Sequence, residues 1–272
     1  NFQMSELARV MLLTYIASYA VRRSEELCSS FKGFMKPVAV LGAAAVLLLA
    51  EPDFGAATVL MATGLAVLFL AGVRLHHLLV PVLVAVAGMA VLAVNSFYRM
   101  RRLTAFRNPW EDPFDSGFQL VQSLIAIGRG EWLGVGLGSS VQKLFYLPEA
   151  HTDFVFAVLA EEFGFVGVVG VIGLYALLVG RALDISRRAA DAGLQFQSYL
   201  AASIGIWVGL QAFVNIGVNM GLLPTKGLTL PLLSYGGSSM LVTLAWLGVL
   251  LRVHHETQLT GRSAVSREGR RE

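Results

Sequence analysis

Polar and apolar positions in this chain segregate into blocks instead of alternating. Seven apolar runs, at 5 to 21, 34 to 50, 54 to 72, 76 to 95, 154 to 180, 199 to 221 and 235 to 252, are separated by shorter polar stretches. Wound as α-helices, runs of this length cross about 30 Å of hydrocarbon. The pattern predicts an all-α, polytopic integral membrane helix bundle, with four spans before and three after a long loop at 96 to 153. Inside that loop, Asn108-Pro109-Trp110-Glu111-Asp112-Pro113 predicts turns, and the spacing of 117 to 127 predicts a short amphipathic helix lying on the outer membrane surface. Residues 1 to 253 form the membrane domain, and 254 to 272 read as a disordered cytoplasmic tail rich in Arg, Glu and Ser.

Composition agrees: 56% of residues are apolar and 14% charged, a balance that a soluble core does not require. Charge placement orients the chain. With the loop at 22 to 36 inside, Arg22, Arg23, Lys32, Lys36, Arg74, Arg181, Arg187, Arg188, Arg252 and the basic tail all fall on the cytoplasmic side. The loop at 96 to 153 is then external, and so is Asn1, from which an odd number of preceding spans is expected. The net charge of +3 belongs largely to cytoplasmic loops and tail, so it speaks for membrane orientation and against nucleic-acid binding. Cys28 is the one cysteine, which excludes a disulfide framework and a cysteine-rich zinc site.

Candidate chemistry concentrates in a polar block, residues 147 to 154, at the mouth of the fifth apolar run. Ionisable groups are costly next to lipid, so such a cluster points to a reaction or transport site. Thr152 suits an N-cap and Asp153 the first helical turn, where a carboxylate is favoured by about 0.3–1 kcal/mol. Capping alone explains those two. It does not explain Glu149 and His151 on the same turn, and together these groups could position a hydroxyl and take its proton.

Positive charge for a phosphate leaving group could come from Lys143 just upstream or from Lys226. A lone lysine near a span end is more often an interfacial anchor. Lys226, however, lies between Pro224 and Pro231 and ahead of Ser234, Gly236, Gly237, Ser238 and Ser239, a pattern that predicts a re-entrant or tightly turned loop whose amides bind phosphate oxygens. Arg99, Arg101, Arg102 and Arg107 form an external basic cluster suited to lipid headgroups or to a lipid-linked diphosphate. Glu6 and Arg9, three apart, are expected to pair inside the bundle, and Glu161 and Glu162 to face a polar cavity. Gly164, Gly167, Gly170 and Gly173 predict close approach of a neighbouring helix. Gly134-Val135-Gly136-Leu137-Gly138 has no strand before it and is no dinucleotide fingerprint.

Four blocks carry a resemblance to a known family: NFQMSELARV at 1 to 10, EPDFGAATV at 51 to 59, the stretch from 98 to 164 that includes LPEAHTDF, and GLLPTKGLTLPLLSYGGSS at 221 to 239. Together they resemble the FtsW/RodA/SpoVE (SEDS) peptidoglycan glycosyltransferases, in the 98 to 153 loop and the Lys226 segment most closely the cell-division branch. Met4 departs from the family's proline. The resemblance implies a ten-span protein with three spans ahead of these seven, in the bacterial cytoplasmic membrane at the division septum. It implies polymerisation of lipid II onto a nascent glycan strand, with release of undecaprenyl diphosphate. The partners it implies are a class B penicillin-binding transpeptidase of the FtsI kind and other divisome membrane proteins. It places the family's essential acid at Asp153 and its lysine at Lys226, with Glu149, His151, Thr152, Lys143, Arg101, Arg102, Ser234 and Ser238 as substrate-binding candidates. No protein-bound metal is expected, and Mg or Mn is the one cofactor that a diphosphate leaving group invites. The rival functions are a lipid II flippase, which would need a polar path across the bilayer, and a noncatalytic scaffold, for which Asp153 would be dispensable.

Overall fold

The computed structural model describes residues 3–51, 53–94, 106–115, 117–143, 147–225 and 227–268. Among these no strand occurs, and the helices run α1 (Met4–Arg22), α2 (Ser24–Ser29), α3 (Phe31–Ala50), α4 (Phe54–Leu70), α5 (Leu75–Val94), a 3-10 turn (Pro109–Glu111), α6 (Phe118–Gly130), α7 (Val155–Asp191), α8 (Gln195–Asn219) and α9 (Gly237–Glu268). The seven long helices coincide with the seven apolar runs. By length and composition α3, α7, α8 and the Gly237–Thr260 part of α9 can cross a membrane unaided, while α4 and the Leu75–Gly88 part of α5 are shorter apolar helices. The fold is an all-helical membrane bundle, as expected.

The chain divides into two compact units. The first comprises Asn1–Leu78, Ala176–Gly209 and Gly237–Glu272. Its core includes Leu13, Ile16, Phe34, Leu41, Leu60, Leu68, Ile204 and Trp207, all essentially inaccessible. Glu6 and Arg9 pair there at 3.2 Å, both buried, with the Arg9 guanidinium 5.5 Å above the Trp207 ring and Trp246 edge-on to that ring. The predicted pair is therefore present, braced by an aromatic face that offsets part of the desolvation cost. Asp53 caps α4 by accepting from the Ala56 amide at 2.9 Å.

The last helix departs from expectation, because α9 continues to Glu268 through residues read as disordered tail. Local bonds sustain it: Arg252 pairs with Glu256 one turn on, and the Thr257 and Thr260 hydroxyls donate to the carbonyls four residues back. Val253 and Thr257 are buried, and Gln197 reaches Glu256, so α9 as far as Thr257 packs within the first unit.

The second unit, Leu79–Tyr175 with Leu210–Gly236, carries the polar block. Here α6 appears as predicted, with its face of Leu120, Val121 and Ala126 buried inside the unit. Ser123 on that face donates to the Asn219 carbonyl at 2.8 Å, and Leu120 and Leu124 lie against Gly221.

The helix that follows Asp153, α7, is broken, and each of its two parts, 155–163 and 165–191, is shorter than α9. At Gly164 the backbone turns to φ 64°, ψ −162°, a region open essentially to glycine alone. Residues 130–136 fill the break. Phe165 N donates to Glu131 O at 2.8 Å and Val166 N to Trp132 O at 3.2 Å, while the displaced carbonyls of Glu161 and Glu162 accept from Val135 N and Gly136 N at 2.9 and 3.1 Å. Two helical bonds are thus exchanged for four bonds to an inserted loop, so the amides of Phe165 and Val166 keep partners across the break. The loop comes so close that a Cβ on Gly134 would lie 2.1 Å from Glu162 O. This is the role of the glycine-rich stretch set aside as a false fingerprint.

Candidate functional site

The turn leading into α7 is held by its apolar residues and displays its polar ones. Leu147, Ala150 and Phe154 are buried in a cluster with Ala126 and Ala157, whereas Glu149 and His151 are exposed and Thr152 and Asp153 partly so. Glu149 adopts φ 56°, and its carbonyl accepts from the amides of Thr152 and Phe154 at 3.1 and 3.2 Å. The Thr152 hydroxyl donates to the Glu149 carboxylate at 2.7 Å.

These bonds correct the capping expectation. The helix begins at Val155, two residues beyond Asp153. Thr152 spends its hydroxyl on Glu149, and the amide of Ala157, which an N-cap would serve, donates to Phe154 O at 3.0 Å and to Asn219 Oδ1 at 3.2 Å. A side chain from α8 therefore shares this amide with the Phe154 carbonyl, where a local N-cap side chain would otherwise reach it.

On α8 the carboxamides Gln211, Asn215 and Asn219 recur every four residues and are all buried. Asn215 Nδ2 donates to Asp153 O at 2.9 Å and to Leu228 O at 2.5 Å. Asn219 Nδ2 donates to Asp153 O at 3.0 Å. Gln211 Nε2 donates to Thr229 O at 2.9 Å. This stripe, absent from the candidates read off the sequence, ties the turn at Asp153 to the 227–229 segment. Its signal was visible as three carboxamides on one face of an apolar helix.

Residues 221–225 and 227–236 form the predicted tightly turned segment, with Leu232 at φ 68°. Tyr175 donates its hydroxyl to Pro231 O. Ser234 donates to Thr152 O at 2.5 Å and accepts from Leu230 N at 2.6 Å, and Tyr235 N donates to His151 O at 2.8 Å. The segment passes so near Asp153 that a Cβ on Gly227 would stand 3.1 Å from Asp153 Oδ2. Glycine there lets a backbone approach the carboxylate.

The candidates therefore fall into several groups. Asp153, Glu149, His151 and Thr152 share one turn, and Ser234 is buried as the tie between that turn and the 227–236 segment. Ser238 sits in the first turn of α9, in the first unit. Lys143 Nζ pairs with Glu162 at 2.7 Å, so its charge already serves a carboxylate. Lys226, Arg101 and Arg102 lie outside the described residues. Arg107 is described and exposed.

Glu161 and Glu162, expected to face a polar cavity, are instead bonded by donors from the protein itself. Glu161, fully buried, accepts from Ser140 Oγ at 2.5 Å, from the amides of Val141 and Gln142 at 3.3 Å each, and from Arg129 at 3.2 Å. Glu162 accepts from Ser140 N at 3.4 Å as well as from Lys143. The loop before the polar block thus supplies donors that make two carboxylates tolerable in an apolar helix. Helix contacts at the glycine series are likewise not as predicted: Gly164 meets the inserted loop, Gly167 its own Phe163, and Gly170 and Gly173 have nothing within 4 Å among the described residues.

Comparison with known proteins bears on what this site does. Residues 1–259 match the FtsW/RodA/SpoVE family model, described as cell cycle protein. A protein of Thioalkalivibrio sulfidiphilus named probable peptidoglycan glycosyltransferase FtsW is 59% identical, over 98% of this chain and 67% of its own length. The protein of that name from Legionella pneumophila is 55% identical, over 94% of this chain and 65% of its own. The chain spans about two thirds of the length of the curated relatives it matches. Among solved structures, a peptidoglycan synthase complex that couples polymerisation to crosslinking contains a chain matching at TM-score 0.75 and 33% identity, over 94% of this chain and 70% of that one. The rod shape determining protein RodA of Thermus thermophilus matches at TM-score 0.63 and 32% identity, over 94% of this chain and 66% of that one.

Proposed function

Because the chain belongs to the FtsW/RodA/SpoVE family, we propose that it forms the catalytic part of a peptidoglycan glycosyltransferase that polymerises lipid II in the bacterial cytoplasmic membrane during septal wall synthesis. The observation that carries this reading is the Asp153 turn, displayed at the mouth of α7 with the Gly227 backbone against its carboxylate. The names of the curated relatives support the activity.

In the proposed step the 4-hydroxyl oxygen of the acceptor sugar attacks the anomeric carbon of the donor, and its proton passes to the Asp153 carboxylate. A new glycosidic C–O bond forms. The bond from the anomeric carbon to the diphosphate oxygen breaks, and its electron pair leaves with undecaprenyl diphosphate. Lys226, one residue before Gly227, stabilises the charge that develops on the leaving group. Glu149 and His151, exposed on the same turn, contact the acceptor sugar, and Arg101 and Arg102 receive the lipid-linked diphosphate. Mg or Mn, where required, is carried by the diphosphate; among the described residues no three His, Cys, Asp or Glu side chains group to hold a metal.

A class B penicillin-binding transpeptidase of the FtsI kind is the proposed partner, supported by the likeness to a chain of a synthase complex that joins polymerisation to crosslinking. Other divisome membrane proteins complete the assembly. The test is to supply labelled lipid II to the purified full-length protein with its transpeptidase. Glycan strands sensitive to a muramidase are expected. Translocation of lipid II across vesicles without polymer would instead establish a flippase, and neither activity would leave a scaffold.

A further inference from the structure

The Asp153 carboxylate can act on a hydroxyl only if its backbone is held still, and the groups that hold it are carboxamides. Asp153 O accepts two bonds, from Asn215 Nδ2 at 2.9 Å and from Asn219 Nδ2 at 3.0 Å. Each asparagine also grips a second element. The other Nδ2 hydrogen of Asn215 goes to Leu228 O, so one planar group fixes the separation between the Asp153 turn and the segment beside it. Asn219 accepts from Ala157 N at the start of α7, and its own carbonyl is held by Ser123 of α6. Both side chains are buried.

We infer that Asn215 and Asn219 are positioning residues for glycosyl transfer, holding the Asp153 carbonyl and the Leu228 backbone in place so that the Asp153 carboxylate keeps one orientation toward the reacting hydroxyl. This inference rests on the proposed function. The residue type follows from geometry: the bridge from Asp153 O to Leu228 O needs two donors in one plane on a short stem, which asparagine supplies. Aspartate would turn lone pairs toward two carbonyls. Leucine would leave buried carbonyls unserved. Glutamine keeps the donors but moves them by one methylene, and displacements of about 1 Å in a reacting group can cost roughly 10²-fold in rate.

The experiment measures kcat and KM for lipid II polymerisation by full-length protein with its transpeptidase. The variants are Asn215→Asp, Asn219→Asp and Asn215→Gln, with Ser186→Ala as control because it removes a buried interhelical bond to Ser198 in the other unit. A positioning role lowers kcat by about 10²-fold with KM within about threefold. Ser186→Ala should melt earlier yet keep its rate per folded molecule. Should an aspartate variant fail to fold, Asn215→Gln decides, since it retains the donors. The inference is overturned if the folded variants keep kcat within about threefold of wild type, or if none of the three folds, for the residues would then be structural. Failure of the proposed function is a separate result, in which wild type itself makes no polymer.

Discussion

Replacing Gly164 by alanine should be among the most damaging single-methyl changes in the protein. The added Cβ would stand 2.4 Å from Gly134 N, 2.6 Å from Gly130 O and 2.7 Å from Leu133 N, all backbone atoms that cannot swing aside. Backbone strain of about 1–3 kcal/mol for a non-glycine residue in this region adds to the loss of at least two of the four exchanged bonds, at about 0.5–1.5 kcal/mol each. The sum is about 2–6 kcal/mol, and at ~2–4 °C per kcal/mol for domains of somewhat smaller size the midpoint should fall by roughly 10 °C. Gly170→Ala on the same helix is the comparison. Nothing lies within 4 Å of its Cβ position, and alanine is favoured over glycine in a helix interior by about 1 kcal/mol. Thermal melts followed by gel filtration of detergent-solubilised full-length protein would separate the two. Equal midpoints for Gly164→Ala and Gly170→Ala would refute the inserted loop.

The carboxylates yield two further expectations. Glu161→Gln keeps the shape but places an amide NH₂ among donors and removes the charge opposite Arg129; because that arginine is 47% exposed its loss of a partner is screened, so the cost should be about 2–3 kcal/mol, read as a lower midpoint in the same melts. Glu6→Gln removes the carboxylate paired with the buried Arg9, leaving the attraction to Asp53, and should cost about 3 kcal/mol or less, whereas Glu6→Leu with Arg9→Met should recover most of that; a double variant no better than the single one would contradict a paired origin.

Much of this architecture was legible because lipid makes apolar length informative: seven runs became seven helices, and the long loop between the fourth and fifth runs contained the short helix predicted for it. The polar block also announced itself, since Glu149, His151 and Asp153 alternate with residues that pack. What stayed hidden depends on partners distant in the chain. Gly164 reads as one more small residue in a helix until residues 130–136 accept and donate bonds in its gap. Thr152 looks like an N-cap because nothing local reveals that Asn219 reaches the Ala157 amide. Asn215 and Asn219 bond chiefly to backbone carbonyls, which carry no sequence signature. The acidic pair at Glu161 and Glu162 pointed to a polar cavity, whereas the donors come from a loop about twenty residues upstream.

Asp153→Asn tests the central claim most directly. Asparagine has the size of the carboxylate, and the bonds that fix this turn run through the Asp153 carbonyl, which the substitution preserves. Folding and membrane insertion should therefore survive. Polymerisation of labelled lipid II by the full-length protein with its transpeptidase should fall by about 10²- to 10⁴-fold, the usual contribution of a general base. Asp153→Glu should recover little, because an added methylene displaces the base by about 1 Å. A folded Asp153→Asn variant that polymerises lipid II at the wild-type rate would contradict the account and move the search for the base to Glu149.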